Sequence, residues 1–431
     1  MIDRARLSAK AGGLSERGFF SATGVCMTAA SLDIPFGPRF VQRVRFTQGS
    51  LNAENAALAE LLEPREDGPA PALVVIDEGV AKAVPSIERR VGAYLGKYAR
   101  RSVMAGPVVF VQGGERVKHD WVGTELVLKA IHEARLCRRS YVVAIGGGAV
   151  LDVVGFAAGM AHRGVRLVRV PTTTLGQADS GVAVKNGINA FQKKNYLGLF
   201  SPAWGVVNDR DFLGTLSERD WRSGFSEAVK VAAIKDGGLL EQIEAKAAAI
   251  AQREVGAAWD VIRRSCELHL RHITDGGDPF ELTRARPLDF GHWAAHRLEA
   301  VSGYELRHGE AVAIGIAIDV RYSVLKGLLP EADGARIERC LRALGFSLAH
   351  AALADPGVLM SGLEEFREHL GGRLTITLLR GIGESVEVHE VDEPLMRAAI
   401  EKTAQIGGSA ALPRGSMDED RFQPPHIPVY T

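Results

Sequence analysis

The chain has 431 residues, 46% hydrophobic and 6% aromatic, with 52 basic and 52 acidic side chains. That length exceeds what one hydrophobic core usually serves, so two domains are expected, and the balanced charge gives no reason to expect nucleic acid or an anionic membrane as partner. Cys26, Cys137, Cys266 and Cys340 form no CxxC pair, Asp3, Arg4 and Arg6 precede no signal-peptide core, and no run approaches the roughly 20 apolar residues of a membrane span, so a soluble protein of a reducing cytoplasm is expected.

In chain order, residues 1–38 show weak periodicity and read as an arm or irregular lead-in. Residues 39–215 have the texture of an α/β domain. Apolar runs at 72–76, 108–111, 141–145 and 167–170, the last ended by Pro171, read as buried parallel strands, with helix-compatible stretches such as 123–136 between them. That alternation predicts a doubly wound, mostly parallel sheet. Beyond about 216 the strand signals fade. Residues 239–250, 257–273, 292–301 and 310–326 carry apolar residues at helical spacing, so 216–406 is predicted as a helical domain with one late strand at 374–379. Residues 407–431, rich in Gly, Pro and charge, read as a loosely packed tail.

The predicted strand 141–145 runs into Gly146, Gly147 and Gly148, and a helix is predicted over 149–160. Glycines there let a diphosphate approach the backbone, and a helix N-terminus supplies N–H donors and a positive dipole end. The spacing is not GxGxxG, and a tight strand-to-helix turn without ligand would look the same. Asp152, four residues past Gly148, could reach a ribose hydroxyl or cap the helix, and Asp77, ending an earlier strand, could do the same work.

The polar residues of the second half form a split set: Glu227 and Lys230, then His292 and His296, then His308. One carboxylate and two imidazoles can hold a catalytic zinc-type ion and leave a position open for substrate. The plainer readings are a surface ion pair for Glu227 and Lys230 and surface or capped histidines. His296, one turn after His292, could be a ligand, a group behind the ligands or an acid/base. Thr172, Thr173 and Thr174 could cap a turn after Pro171, Asp179 could be a loop residue, and Lys193 with Lys194 could be a solvated pair, though Asn195 after them suits an anion site.

Taken together, Gly146 to Asp152, His162-Arg163-Gly164, Pro171 to Thr174, Asp179-Ser180, Lys185, Lys194-Asn195, Glu227 to Lys230, Phe290-Gly291-His292 and His308-Gly309-Glu310 resemble the dehydroquinate synthase superfamily of sugar phosphate cyclases. The similarity spans roughly residues 41–406, and the spacing from Gly146 to Lys230 needs no gap. The resemblance implies an NAD-binding α/β domain (39–215), a helical domain with a divalent metal, Zn or Co (216–406), and a homodimer. It puts Asp77, Glu115, Lys118, Gly147, Gly148, Asp152, Thr172 and Thr173 at NAD-contacting positions, with Phe212, Thr215 and Leu216 near the adenine. Glu227, His292 and His308 fall on the metal ligands. Asp179, Lys185, Lys194, Asn195, Lys230 and His296 fall on substrate or catalytic positions, and Arg163 falls where the family reaches a phosphate across the dimer.

The implied reaction closes a seven-carbon sugar phosphate into a carbocycle with no net oxidation. One hydroxyl is oxidised transiently, phosphate is eliminated, the ketone is reduced again, and an intramolecular aldol step forms the ring. The substrate is a small sugar phosphate, with no nucleic acid or membrane as partner. Two alternatives share part of this set: an iron- or zinc-type NAD-dependent polyol dehydrogenase, which uses aspartate where this chain has Glu227, and a non-catalytic paralogue.

Departures from dehydroquinate synthase bear on the substrate. A lysine of that enzyme is matched by His269 or Arg271, and an asparagine three residues before the first metal histidine by Asp289. An arginine near that turn is matched by Arg284 or Arg286, and a late lysine pair is absent where Arg367, His369 and Arg373 stand. These exchanges weaken or repel a bound carboxylate, which points to a heptulose phosphate without one, such as sedoheptulose 7-phosphate, giving a valiolone-type cyclitol. Yet His296 is kept where valiolone synthases usually have proline, so the chain looks most like the cyclases of bacterial Ebo-type secondary-metabolite clusters.

Overall fold

The computed structural model describes residues 17–20, 26–29, 39–191, 193–275, 280, 287–369 and 372–407. Met1–Val41 and Gln42–Thr431 are separate compact units. In the first, strands β1 (Arg17–Phe20) and β2 (Cys26–Ala29) pair antiparallel, with Arg17 opposite Ala29. A hairpin thus stands where only an arm was expected, because strands of four residues are too short for alternation to register. The tail expected at 407–431 lies outside the described residues except for Gly407, which closes the last helix.

In the second unit the strands are β3 (Val44–Thr47), β4 (Ala70–Asp77), β5 (Ser102–Met104), β6 (Val109–Val111), β7 (Tyr141–Gly146), β8 (Arg166–Pro171), β9 (Lys185–Ala190), β10 (Lys193–Phe200), β11 (Gly205–Asp209), β12 (Ile376–Gly381) and β13 (Glu384–Val388). Seven of them form one parallel sheet in the order β3-β11-β8-β7-β4-β5, with β6 also pairing β4. Helices α1 (Glu78–Ala83), α2 (Ile87–Lys97), α3 (Val122–Glu133), α4 (Gly148–Met160) and α5 (Thr174–Ala178) accompany the sheet.

Both faces of the sheet are covered, which is why its strands read as unbroken apolar runs rather than alternating ones. Leu73, Val75, Val142 and Ala144 pack on one face with Val127 and Ile131 of α3 and Val150 and Val154 of α4. Ala72, Val74, Ile76, Val143 and Ile145 pack on the other with Val91 and Leu95 of α2. The chain leaves β4 toward β5 and leaves β7 toward β8, on opposite sides. The carboxyl ends of β4 and β7, at Asp77 and Gly146, therefore flank the crevice where open α/β sheets take their ligands.

The helical half comprises α6 (Glu218–Lys235), α7 (Gly237–Ala251), α8 (Val255–Asp275), α9 (His292–Val301), α10 (His308–Leu325), α11 (Glu331–Ala343), α12 (Pro356–His369) and α13 (Glu393–Gly407) around its own core. The expected late strand is half of the hairpin β12–β13. Among the described residues no helix is long and apolar enough to cross a membrane.

Helices α6, α9 and α10 meet at backbone-to-backbone contacts that only glycine permits. A methyl group on Gly309, in the first turn of α10, would lie 2.0 Å from the carbonyl oxygen of Ser223 on α6. One on Gly315 would lie 2.0 Å from the carbonyl oxygen of Gly291, whose own φ of +78° starts α9. Gly309→Ala is therefore expected to destabilise the protein by about 3 kcal/mol or more, the upper end of overpacking costs, because the obstacle is backbone that cannot turn aside. Denaturant unfolding measures this, and a change below about 0.5 kcal/mol would contradict the packing described.

Candidate active site

The glycine turn is built as its composition implied. Gly146 ends β7, Gly147 is the extended N-cap of α4 (φ −75°, ψ 169°), and no side chain caps that terminus. Its first-turn N–H groups are thus available to an anion. A side chain on Gly148 would fall 2.7 Å from the Ser180 hydroxyl, so the space over the turn stays open only for glycine. Asp77 caps α1 by accepting from the Gly79 N–H at 2.7 Å and also faces the Gly147 N–H; burial pushes its carboxyl up against those hydrogen bonds.

Asp152 does not cap α4. It pairs with Lys118 Nζ at 2.8 Å, and Lys118, itself buried, also donates to Asn195 Oδ1. In the same 3-10 turn, Glu115 has a buried Oε1 with no hydrogen-bond partner among the described residues, an acceptor left for a ligand hydroxyl. Together with the open glycine turn, this acceptor makes the crevice fit a dinucleotide.

The threonines take the plainer reading in part. Thr173 caps α5 by accepting from the Gly176 N–H at 2.9 Å, and the buried Thr172 N–H donates to Gly146 O at 3.0 Å. Phe212 is buried in the core beneath the sheet, while Thr215, which donates to Phe212 O at 2.6 Å, and Leu216 are half-buried.

A hairpin missed in the sequence carries Lys185, Lys194 and Asn195. β9 and β10 pair antiparallel, and their register shifts between Lys193 and Leu197. Asn195 stands at this bulge with φ 54°, a left-handed conformation that Asn tolerates better than most side chains. Its N–H donates to Asn189 Oδ1 at 2.8 Å. Beneath the hairpin the fully buried Arg169 donates to the carbonyls of Ser180, Gly181, Ala183 and Lys185 and to Asn186 Oδ1 at 2.5 Å. One guanidinium thereby shapes the whole 180–186 segment, including the exposed Lys185.

Glu227, His292 and His308, on α6, α9 and α10, converge. His292 Nε2 and His308 Nε2 lie 3.4 and 3.2 Å from the same oxygen, Glu227 Oε1, and the three sets of ligand atoms fall within 4.8 Å of one another. Each ring's other nitrogen faces an acceptor: His292 Nδ1 lies 3.1 Å from Phe290 O, and His308 Nδ1 lies 3.2 Å from Glu299 Oε2. With a proton on each Nδ1, both Nε2 lone pairs would be free to share one cation with Glu227 Oε1. The donor set of two nitrogens and one oxygen fits a divalent ion with room for substrate. Without the ion, burial opposes charging of His308 but Glu299 and Glu227 outweigh it and push the ring up to about 9.

Glu227 and Lys230 are no surface pair: both are buried, and the Lys230 ammonium contacts Glu227 Oε2. Burial disfavours the Lys230 charge, yet Glu227, Asp179 and Asp289 raise it. Asp179 in turn accepts from His269 Nδ1 at 2.6 Å, so of the two candidates for the family's lysine it is His269 that joins the site, while Arg271 is exposed. Asp179 is held below the usual carboxylate range: burial works against this, but His269 and Lys230 prevail. His296 is half-buried and kept neutral by desolvation and by Lys194 and His292; its ring centroid lies 5.6 Å from that of His292.

Arg163 is not brought to this cluster. It is exposed on a left-handed turn (φ 61°) at the far end of α4, whose 13 residues run about 20 Å from the glycine turn. Arg284 and Arg286 lie outside the described residues, as does the His369 side chain.

Three positions escaped the sequence reading. Glu299, buried, accepts Lys194 Nζ on both oxygens at 2.7 and 2.8 Å; its spacing of seven from His292 and three from His296 on one helical face was a usable signal. Arg169 gave none, since it sits in an apolar strand. Asp319 of α10 accepts from the Gly291 N–H and the Trp293 indole, both at 2.8 Å, and so fixes the first turn of α9 around His292. Burial pushes the Asp319 carboxyl up to about 7 from an ordinary 3.8. A raised folded value means stability that is full below about pH 4 and is lost as pH rises through 7. The stability advantage of wild type over Asp319→Asn should therefore shrink by roughly 2 kcal/mol between pH 5 and 8; an advantage independent of pH in denaturant unfolding would refute it.

Comparison with known proteins gives concordant matches. Residues 108–223 match the 3-dehydroquinate synthase N-terminal family and residues 224–364 the 3-dehydroquinate synthase C-terminal family. A 2-epi-5-epi-valiolone synthase of Streptomyces glaucescens is 33% identical over 392 residues, 89% of this chain and 97% of that protein. A 3-dehydroquinate synthase of Rhodopseudomonas palustris is 35% identical over 305 residues, 68% of this chain and 79% of that protein. A 2-epi-5-epi-valiolone synthase of Streptomyces hygroscopicus, solved with NAD+ and Zn2+ bound, superposes with a TM-score of 0.78 at 29% identity, covering 87% of this chain and all of that one.

Proposed function

Because the chain belongs to the 3-dehydroquinate synthase family, we propose that it is a sugar phosphate cyclase, a carbon–oxygen lyase that uses NAD and a divalent metal, Zn or Co. The observation that carries this is the convergence of His292 Nε2 and His308 Nε2 on Glu227 Oε1 beside an open glycine turn at the sheet's carboxyl edge. Glu227, His292 and His308 would hold the ion, with the dinucleotide over Gly147 and Gly148 and near Glu115, Lys118 and Asp152. Once bound, the two groups would supply polarisation of a substrate hydroxyl and reversible uptake of a hydride. Lys230, held charged by three carboxylates, stands beside the ligands as a fixed donor to a substrate oxygen. The neutral His296, the third N–H of Lys194 and the Asn195 amide are the groups suited to a departing phosphate.

For the substrate we favour a seven-carbon ketose phosphate without a carboxylate, such as sedoheptulose 7-phosphate, cyclised to a valiolone-type product. Lys230 already faces Glu227, Asp179 and Asp289, and the position of the family's carboxylate-binding lysine is a histidine committed to Asp179. A further carboxylate there meets negative charge with no free ammonium. The whole-length similarity to a valiolone synthase supports the same choice. The retained His296 is the feature behind the narrower likeness to Ebo-type cyclases, and the matches reach the family without reaching that subgroup. We assign Arg163, exposed and far from its own cluster, to the site of a second copy in a homodimer. The thiols Cys137, Cys266 and Cys340 are free, as suits a cytoplasmic protein.

The test is phosphate release with NAD+ and Zn2+ or Co2+. Sedoheptulose 7-phosphate should be turned over with a higher kcat/KM than 3-deoxy-arabino-heptulosonate 7-phosphate, and Glu227→Ala, His292→Ala or His308→Ala should lower the rate by more than about 100-fold, since groups merely behind a metal ligand already cost 10–100-fold. Release from neither sugar by folded, metal-loaded protein would sink the assignment, as would steady accumulation of NADH.

A further inference from the structure

Glu299 touches two groups whose charges conflict. Its carboxylate takes both oxygens to Lys194 Nζ, at 2.7 and 2.8 Å, while Oε2 also lies 3.2 Å from His308 Nδ1. Lys194 Nζ is itself only 3.5 Å from that Nδ1. An ammonium would thus stand one imidazole away from a divalent ion on His308 Nε2, with the side chains of Lys194 and Glu299 only 16% and 4% exposed and little water to screen them. His296, Glu115 and Tyr304 also face this group of charges, and of these only Glu115 carries negative charge to share.

We propose that Glu299 is a positioning residue that makes a cationic Lys194 compatible with a metal ion on His308. It does so in two ways. Its oxygen holds the His308 proton on Nδ1, so Nε2 keeps its lone pair for the ion. Its charge cancels that of Lys194, so the lysine can remain beside the ion with one N–H left for substrate. The inference rests on Glu227, His292 and His308 as metal ligands and concerns the geometry behind them, not the sugar.

The experiment measures metal binding without substrate. Metal-free wild type, Glu299→Gln, Glu299→Ala and the double variant Glu299→Ala with Lys194→Met are titrated with Co2+ against a chelator, following the Co2+ absorption spectrum, and each is unfolded metal-free to check its fold. Glu299→Ala should bind Co2+ about 10–100-fold more weakly, as expected for loss of a group behind a ligand. Glu299→Gln should lose less, because the amide oxygen still accepts the Nδ1 proton, and removing Lys194 from the alanine variant should restore part of the loss. Unchanged affinity in a folded Glu299→Ala, or a double variant no better than the single one, overturns the proposal. Should Glu299→Ala fail to fold, Glu299→Gln decides alone: wild-type affinity in that variant overturns it. Wild type that binds no Co2+ removes the metal site itself, a failure distinct from that of Glu299.

Discussion

Everything in the site depends on how closely three helices approach. α6, α9 and α10 each deliver one member of the Glu227, His292 and His308 set, and two glycine contacts with backbone oxygens 2.0 Å from where a methyl would stand bring them together. These contacts fix the spacing of the three helices, so the donor atoms meet without the backbone having to shift. Asp319 completes the lock by accepting the first N–H of α9 and the neighbouring indole. The ligand geometry is thus a property of the backbone, and the ligands themselves need short reach.

That compactness forces an electrostatic solution. Glu227, Lys230, Glu299, Asp179, His269, His296 and Lys194 are withdrawn from water within a small volume, where an unpaired charge costs several kcal/mol. Each charge is therefore met: Lys230 by Glu227, Asp179 by His269 and Lys194 by Glu299. His296, with no carboxylate in hydrogen-bond reach among the described residues, stays neutral instead. The arrangement leaves Glu227 Oε1 between two imidazole nitrogens as the place where added positive charge is best received.

The sheet and most helices were legible because burial on both faces writes itself as apolar runs of strand length, as in 72–76 and 141–145, and amphipathic helices keep their 3.6 period, as in 292–301. The β9–β10 hairpin was not, since its polar residues are clustered rather than alternating and it carries two glycines and a bulge, so it resembles a loop. Within the site, Glu227, His292 and His308 were visible through their chemistry and order. His269 could not be separated from Arg271 by sequence, because which of two residues on one helix faces inward depends on packing against Asp179. Arg169 and Asp319 were hidden for a related reason: a polar residue inside an apolar run signals function only when its partners, here loop carbonyls and an indole, are known.

The bulge in β10 has a consequence for how the hairpin can vary in length. Lys194 reaches the helical half through Glu299, and Asn195, the very next residue, reaches the sheet half through Lys118. Neighbouring side chains on a strand point to opposite faces, so this single strand serves two halves of the molecule at once. Inserting a residue between Lys194 and Asn195 would break this side-by-side placement and cost either Glu299 or Lys118 its partner. The tip at Phe191, exposed and already turned with φ 51°, carries no such obligation. Length change is thus tolerable at the turn and forbidden four residues later.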